Sequence, residues 1–209
     1  MDHEEHLLRI LAAAQSQGFL GPGAPAEHLR HARGFAEAAA RYLEVASVRF
    51  ADLGTGGGVP GLVLAACWPE ATGTLVESST RRCAALSRWV GELGMQDRLQ
   101  VLAGRAEVLA HDPSIREQYD LTTARSFARP CVTAEIATGF VRVGGLLVVS
   151  DPPEPAPSRW PPAALESLGL GPAVVVVAQG AHYACLRKVR RAASDQPRQG
   201  AGARKRPLW

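Results

Sequence analysis

The sequence predicts an α/β protein with a mostly parallel β-sheet, because short apolar runs alternate with helical stretches after residue 46. The runs of strand length are 48–53, 73–77, 99–102, 119–123 and 145–150, and the helical stretches between several of them are 60–67, 79–93 and 129–140. Two further runs, 173–178 and 182–188, flank a short polar turn and suit a β-hairpin. We therefore predict a seven-stranded sheet made of five parallel strands and a terminal hairpin.

The first 45 residues predict a helical N-terminal extension. Apolar residues recur at helical spacing over 4–16 and again over 26–43, and a loop rich in glycine and proline separates the two stretches. The α/β domain is then expected to span residues 46–190, and a basic tail to cover 191–209. This gives three segments, of which the central one carries the sheet.

Composition limits the class of protein. A chain of 209 residues with 46% hydrophobic content suffices for one well-buried domain. The four cysteines form no Cys-x-x-Cys pair and have no histidine at ligand spacing, so we predict neither a metal site nor a disulfide scaffold. The N-terminus is polar and no apolar stretch reaches membrane-spanning length, so we expect a cytoplasmic monomer that does not enter a membrane.

Charge is distributed unevenly along the chain. Residues 187–209 contain eight Lys and Arg residues against Asp195 alone, whereas the rest of the chain is net acidic. A basic tail favours a polyanionic partner such as RNA, because each neutralised phosphate releases counterions. A solvated, disordered tail is an equally good interpretation of the charge alone.

A glycine-rich turn follows the first predicted strand. The strand ends at Asp52-Leu53, and Gly54-Thr55-Gly56-Gly57-Gly58 then leads into a helix near Pro60. Ligands of open α/β sheets bind at this carboxyl edge, and glycine lets the backbone approach them closely. The turn therefore predicts a site for a nucleotide-like cofactor.

Two cofactors compete for this turn. The spacing of Gly56, Gly58 and Gly61 matches a dinucleotide fingerprint, and Glu77 follows at about the position of a ribose-binding carboxylate, so NAD is one candidate. We favour S-adenosylmethionine, because an aspartate two residues before the first glycine is typical of class I methyltransferases and the terminal hairpin suits their seventh strand. Asp52 would then offer an acidic group near the methionine moiety of this sulfonium.

Acidic residues also follow strands 2 and 3. Glu77 ends strand 2, where its carboxylate is expected to accept both hydroxyls of a ribose; capping of the next helix is the alternative. Arg105-Ala106-Glu107 follows strand 3, where methyltransferases of this class contact the adenine. Both motifs therefore fall at the predicted cofactor edge.

A family resemblance emerges when these motifs are taken together. They are DLGTGGGVPGLVL at 52–64, LVESSTRRC at 75–83, GRAE at 104–107 and TARSFA at 123–128. In order and spacing they resemble the bacterial small-subunit rRNA guanine-N7 methyltransferases, the glucose-inhibited division protein B family. The basic tail also resembles the ending of many members.

The resemblance implies a Rossmann-like class I methyltransferase fold, S-adenosylmethionine as cofactor, and a guanine N7 of 16S rRNA as acceptor. It implies cofactor contacts at Gly54, Val59, Ala106, Glu107 and Arg125. For Arg125, which follows strand 4, a surface salt bridge is the alternative. Guanine N7 carries a free lone pair and needs no general base, in keeping with six histidines that look dispersed and structural.

Two departures from the family concern the acceptor side. The N-terminal helices lack the family's asparagine-containing segments, and strand 5 ends in Ser150-Asp151-Pro152 where the family has Leu-Lys-Gly. An aspartate in place of a substrate-side lysine is expected to repel RNA phosphate. The alternatives left open are therefore a methyltransferase for a small molecule or another RNA, and a non-catalytic paralogue that binds cofactor or RNA. The proline-rich loop 151–162 either covers the substrate pocket or is a surface connection.

Overall fold

The computed structural model describes residues 3–154, 156–199 and 202–209. The strands are β1 Arg49–Leu53, β2 Thr72–Glu77, β3 Leu99–Ala103, β4 Tyr119–Ala124, β5 Val141–Asp151, β6 Val174–Ala178 and β7 Ala181–Arg187. The helices are α1 His3–Ser16, α2 Pro25–Ala40, α3 Gly61–Cys67, α4 Thr80–Glu92, α5 Ala106–Leu109, α6 Pro130–Thr138, α7 Pro162–Ser167 and α8 Gly202–Lys205, with a 3₁₀ turn at Pro157–Arg159.

The strands form one seven-stranded sheet in the order β3-β2-β1-β4-β5-β7-β6. Strands β1 to β5 pair in parallel, and β7 runs antiparallel between β5 and β6. A dinucleotide-binding dehydrogenase sheet has the order 3-2-1-4-5-6 without this inserted strand. The predicted parallel sheet with a terminal hairpin is therefore confirmed, and its topology is that of class I methyltransferases.

The N-terminal helices pack onto the sheet. Leu7, Leu11 and Phe35 are buried in the same apolar cluster as Phe50 of β1 and Tyr183 of β7. In the structure α2 packs against α3 and against β5, β6 and β7, and α1 packs against α2 and α3. This position brings His28 of α2 to Arg125, the residue that follows β4. The functional division at residue 45 stays a prediction.

Several element boundaries differ from the sequence prediction. Helix α2 ends at Ala40, and β5 begins at Val141, before the predicted start at 145. The early part of β5 exposes Arg142, Val143 and Gly144, and its register against β4 shifts near Tyr119, so apolar periodicity could not reveal it. The short helices α5, α7 and α8 were not predicted, because one turn carries no periodic signal.

The basic tail lies against the body. Arg116 donates hydrogen bonds to the carbonyls of Gln196 (2.7 Å) and Ala193 (2.8 Å). Arg198 pairs with the buried Glu135 of α6 through two side-chain bonds of 2.8 and 2.6 Å. The interpretation of residues 191–209 as a solvated, disordered tail is therefore wrong for its described part, 191–199 and 202–209.

Three negative expectations can be compared with the described residues. There the four cysteines are free, with only Cys67 exposed. Within the same ranges no cluster of three or more His, Cys, Asp or Glu side chains is arranged to hold a metal ion. None of the described helices is long and apolar enough to cross a membrane.

Candidate cofactor and acceptor site

The glycine turn lies at the carboxyl end of β1, as predicted. Gly54 and Gly56 have φ angles of +64° and +58°, in the left-handed region that side-chain-bearing residues avoid. A Cβ at Gly54 would lie 2.6 Å from the Phe127 ring, so this position also has no room for a side chain. The turn therefore exposes backbone at the sheet edge.

Asp52 stabilises the glycine turn by hydrogen bonds on its buried side. Its carboxylate is fully buried and accepts hydrogen bonds from the Gly61 N–H (2.9 Å) and the Thr123 hydroxyl (2.9 Å). Burial raises the pKa of Asp52 to about 6, although these hydrogen bonds favour the charged form. The structure thus places this carboxylate behind the turn and not in a cavity wall, and direct contact with a cofactor stays a prediction.

Glu77 connects the start of α4 to the glycine turn, and its role in ribose binding stays a prediction. One carboxylate oxygen accepts from the N–H groups of Ser78 (2.8 Å) and Ser79 (2.9 Å) where α4 begins. The other accepts from the Gly56 N–H at 3.1 Å and so ties the glycine turn to β2. Each oxygen has two lone pairs, so these three bonds leave one lone pair free, and because Glu77 lines a cavity this acceptor is available to a ribose hydroxyl.

A first cavity of about 290 Å³ lies over the ends of β1, β2 and β3. We call it the nucleoside cavity; it is lined by Gly54, Val76, Glu77, Ser78, Gly104, Arg105, Ala106, Glu107, Phe127 and Arg204. Glu107 is buried, and its carboxylate accepts hydrogen bonds from the Arg105 guanidinium. The predicted residues Gly54, Glu77, Ala106 and Glu107 therefore share one cavity.

A second cavity of about 340 Å³ lies on the other side of the turn, and we call it the turn cavity. Its wall includes the predicted residues Gly54, Gly56, Val59 and Arg125, together with His28 of α2. Arg125 donates to His28 Nδ1 at 2.6 Å, and its second terminal nitrogen is buried without a described partner. This orphan donor suits an anionic or carbonyl oxygen, which the carboxylate of a bound methionine moiety would supply.

The histidines of α2 correct one sequence expectation. His28 and His31 are not dispersed, because α2 brings both beside Arg125. Burial, with Arg125 and His28 nearby, lowers the pKa of His31 to about 4, so its ring is neutral at pH 7. Sequence reasoning missed them because nothing local links α2 to β4; their spacing of three residues on a helix was the available signal.

A third cavity, of about 300 Å³, lies beyond the turn cavity, and we call it the acceptor cavity. Its wall is formed by His31, Ser126, Phe127, Ala128, Pro130, Thr133, Val149, Ser150, Asp151, Pro152 and Arg159. It opens between α2, the segment after β4 and the end of β5, on the side where the family resemblance places the substrate. Part of the loop 151–162 thus lines a cavity, in favour of the covering role.

Asp151 does not act as an unpaired negative charge. Its fully buried carboxylate accepts from Arg159 Nε at 2.6 Å and from Trp160 Nε1 at 2.8 Å. The expected repulsion of RNA phosphate assumed an unpaired carboxylate, but Arg159 balances the charge of Asp151 and is held by it at the acceptor cavity; the effect on RNA affinity stays a prediction. The partner lies in a proline-rich loop whose path the sequence did not reveal.

The three cavities meet at the segment after β4. Gly54 lines the nucleoside and turn cavities, Ser126 the turn and acceptor cavities, and Phe127 the nucleoside and acceptor cavities. Ser126 has a φ of +51°, a strained conformation of the kind found at functional sites. A ligand spanning the first two cavities would thus have its centre beside the third.

These features define a class I methyltransferase-type α/β protein with a bipartite site. A glycine turn and strand-end acids form one part, and a cationic, histidine-containing cavity forms the other. A family model described as rRNA small subunit methyltransferase G matches residues 10–150. The chain therefore belongs to this family, and the NAD interpretation of the turn is set aside.

Individual relatives agree with the family model. The chain is 42% identical over 97 residues to "Ribosomal RNA small subunit methyltransferase G" from Synechococcus sp. (strain WH7803), covering 46% of this chain and 38% of the relative. It is also 42% identical over 97 residues to the protein of that name from Roseiflexus castenholzii, covering 46% and 41% respectively. The matched region thus spans about two fifths of the length of these curated relatives.

Solved structures resemble this chain in fold. A putative O-methyltransferase from Klebsiella pneumoniae has a TM-score of 0.61 at 15% identity, over 88% of this chain and 90% of that one. A geranyl diphosphate C-methyltransferase from Streptomyces coelicolor, in complex with S-adenosyl-L-homocysteine, has a TM-score of 0.57 at 13% identity, over 74% and 78%. At such identities the likeness supports the fold alone.

Proposed function

We propose that this protein is an S-adenosylmethionine-dependent methyltransferase that methylates N7 of a guanine in 16S rRNA, acting as a cytoplasmic monomer. Membership of the family supports the proposal. The observation that carries it is the meeting of three cavities around Gly54, Ser126 and Phe127, because methyl transfer requires donor and acceptor sites that adjoin at the reacting atoms.

The residues of the first two cavities fit the donor. Glu77 would accept a ribose hydroxyl through its free lone pair, and Ala106 and Glu107 would border the adenine. Gly54, Gly56 and Val59 would face the methionine moiety, with Arg125 offering its orphan donor to the carboxylate. When bound, S-adenosylmethionine supplies an electrophilic methyl group on a positively charged sulfur.

The acceptor cavity fits a base that needs no deprotonation. Guanine N7 presents a lone pair, so the protein has to align the base and exclude water. His31 is neutral at pH 7 and can take part in a hydrogen bond with the base without adding charge. The part of the methyl acceptor that enters this cavity would therefore be held by shape and hydrogen bonds.

Positive charge around the acceptor cavity suits an RNA. Arg125 and Arg159 border it or its neighbour, and Arg82 lines the turn cavity. In the tail, Arg191, Lys205 and Arg206 are exposed, whereas Arg198 is paired with Glu135. We assign phosphate contact to the exposed cations of this set, since each neutralised phosphate adds affinity.

Complementation tests the acceptor. The gene is expressed in a bacterial strain that lacks its own enzyme of this family, and N7 methylation of 16S rRNA is measured by mass spectrometry of rRNA digests. We expect methylation to be restored. Unmethylated rRNA in cells that contain the folded protein would contradict the rRNA assignment and favour another acceptor or a non-catalytic paralogue.

Calorimetric titration tests the donor separately. We expect the purified protein to bind S-adenosylmethionine and S-adenosylhomocysteine and to give no heat with NAD. Binding of NAD without binding of either sulfur compound would overturn the cofactor assignment. Cofactor binding combined with no methyl transfer to rRNA, to other RNAs or to small acceptors would identify a paralogue that has lost catalysis.

A further inference from the structure

The end of the chain follows a defined path over the site. We call residues 192–199 and 202–209 the C-terminal strap. Its first part is fixed by Arg198, which pairs with Glu135, and by the Pro197 carbonyl, which lies 2.7 Å from His111 Nε2. Its last residue, Trp209, donates from Nε1 to the Arg159 carbonyl at 3.0 Å, beside the acceptor cavity.

Between these anchors the strap reaches the nucleoside cavity. Ala203 is buried at 2% exposure, and the next residue, Arg204, lines the cavity together with Gly104 and Ala106. Arg204 Nε lies 3.8 Å from a carboxylate oxygen of Glu107. Its guanidinium carbon lies 5.5 Å from the centre of the Phe127 ring, within the range of a cation–π contact.

These contacts suit a purine. Gly104 and Ala106 leave space for a flat ring, and Glu107 is a buried acceptor on the same wall. A guanidinium is planar and stacks on aromatic faces, so Arg204 can lie against a base as it lies against Phe127. It also adds a second cation beside Glu107, whose carboxylate is otherwise balanced by Arg105.

We propose that Arg204 is a cofactor-binding residue and that the C-terminal strap forms the outer wall of the nucleoside cavity. The proposal rests on the function proposed above, and it assigns part of the basic tail to the cofactor where the sequence suggested RNA alone. The Arg204 side chain is 40% accessible, so its outer side faces solvent.

The test compares Arg204→Ala with Arg190→Ala, an exposed arginine just before the strap that donates to the Glu166 carbonyl. S-adenosylhomocysteine binding is measured by calorimetry, and adenosine binding by competition. We expect Arg204→Ala to weaken the binding of both ligands about fivefold to tenfold, and Arg190→Ala to leave both unchanged. Arg204→Lys should fall between them, because it keeps the charge and loses the planar group.

Arg198→Ala tests whether the anchored strap positions Arg204 at the nucleoside cavity. Releasing the Glu135 anchor should weaken S-adenosylhomocysteine binding, and the effect should nearly vanish in the Arg204→Ala background, as expected for two changes that act through one contact. Melting curves show whether each variant is folded. If the losses of binding free energy in the two single variants add up in the double variant, Arg198 acts independently of Arg204. This result would overturn the role of the strap as a wall of the nucleoside cavity.

The outcomes separate this proposal from the one on which it rests. Wild-type protein that binds no S-adenosylhomocysteine would remove the cofactor assignment itself. Wild-type binding that persists unchanged in folded Arg204→Ala would overturn only the role of Arg204. A loss seen with S-adenosylhomocysteine but not with adenosine would contradict its position at the nucleoside end.

Discussion

The nucleoside cavity and the acceptor cavity are built in different ways. The first is made by residues that directly follow β1, β2 and β3, such as Gly54, Glu77 and Glu107, each within a short motif of its own strand. The second combines α2, the segment after β4 and the end of β5, and it depends on His31, Asp151 and Arg159. Local motifs therefore encode most of the nucleoside cavity, to which packing adds Phe127 and Arg204, whereas long-range packing assembles the acceptor cavity.

The two sides also differ in how their charges are paired. The nucleoside cavity sets two buried carboxylates, Glu77 and Glu107, against two arginines, Arg105 and Arg204. The acceptor cavity has one buried carboxylate, Asp151, which pairs with Arg159, and a neutral histidine, His31. The departure at Asp151 thus brings a carboxylate and its arginine partner to the acceptor cavity, where the resemblance implies a lysine.

The largest effect is expected from Asp151. Asp151→Ala should leave Arg159 and the Trp160 N–H without their buried partner and lower the free energy of unfolding by about 3 kcal/mol. Asp151→Lys should lower the free energy of unfolding further, because it places a second cation beside Arg159, although the family resemblance implies lysine at this position. Urea denaturation measures both, with the exposed Glu154→Ala as the control. A stable Asp151→Lys protein would show that the acceptor side tolerates the family's own residue.

Glu77 tests the nucleoside side. Glu77→Gln keeps the shape of the side chain but removes a charged acceptor from the ribose and from the Gly56 N–H, so S-adenosylhomocysteine should bind about 100-fold less tightly. Calorimetry gives the dissociation constant, and Glu70→Gln, on the surface, is the matched variant. Equal affinity for the wild type and Glu77→Gln would reduce Glu77 to the helix-capping acid.

Arg125 lies in the wall of the turn cavity, between the nucleoside and acceptor cavities. Arg125→Ala should lower the rate of methyl transfer to 16S rRNA about 30-fold, since its guanidinium faces the turn cavity and contacts His28. Single-turnover assays on ribosomal subunits measure the rate, and Arg88→Ala, exposed on α4, is the control. If the two variants transfer methyl groups equally fast, Arg125 does not belong to the site.

The smallest effect concerns pH and the acceptor side. Because the pKa of folded His31 is about 4, below its unfolded value of about 6.5, the unfolded state takes up the proton first and stability falls as pH drops from 6.5 towards 4. In His31→Gln the free energy of unfolding should fall by about 1 kcal/mol less over this pH range, a value that allows for the partial exposure of His31. Denaturation at pH 7 and pH 4.5 measures it.

The control for this prediction is His182→Gln, on the β6–β7 hairpin. Asp52 acts in the opposite direction, because its pKa of about 6 lies above the unfolded value and protonation favours the folded state as pH falls. If the free energy of unfolding of His31→Gln depends on pH as in the wild type, the His31 ring is hydrated in the folded protein and is not buried in the wall of the acceptor cavity.

Much of the fold could be predicted from sequence. The five parallel strands and the hairpin could be predicted because the strands of a buried sheet appear in the sequence as short apolar runs. The start of β5 at Val141 could not, since its first residues are exposed and carry no pattern. The predicted end of helix α2 lies three residues beyond the observed end at Ala40, because helical propensity does not define where tertiary contacts stop.

The candidate site divides along the same line. Gly54, Gly56, Glu77, Ala106 and Glu107 follow strands, and parallel strands necessarily bring their carboxyl ends to one edge, so these positions could be placed without coordinates. Their role in binding stays a prediction. His31 and Arg204 could not be placed, because nothing local connects α2 or the chain end to that edge.

Short-range patterns and residue order are enough to predict the sheet, the glycine turn and the family. Only the packed chain reveals that Arg159 balances the charge of Asp151, that two histidines lie beside Arg125, and that Arg204 lines the nucleoside cavity. Each of these contacts depends on how separate elements pack, and packing arises from the whole folded chain and not from any one segment.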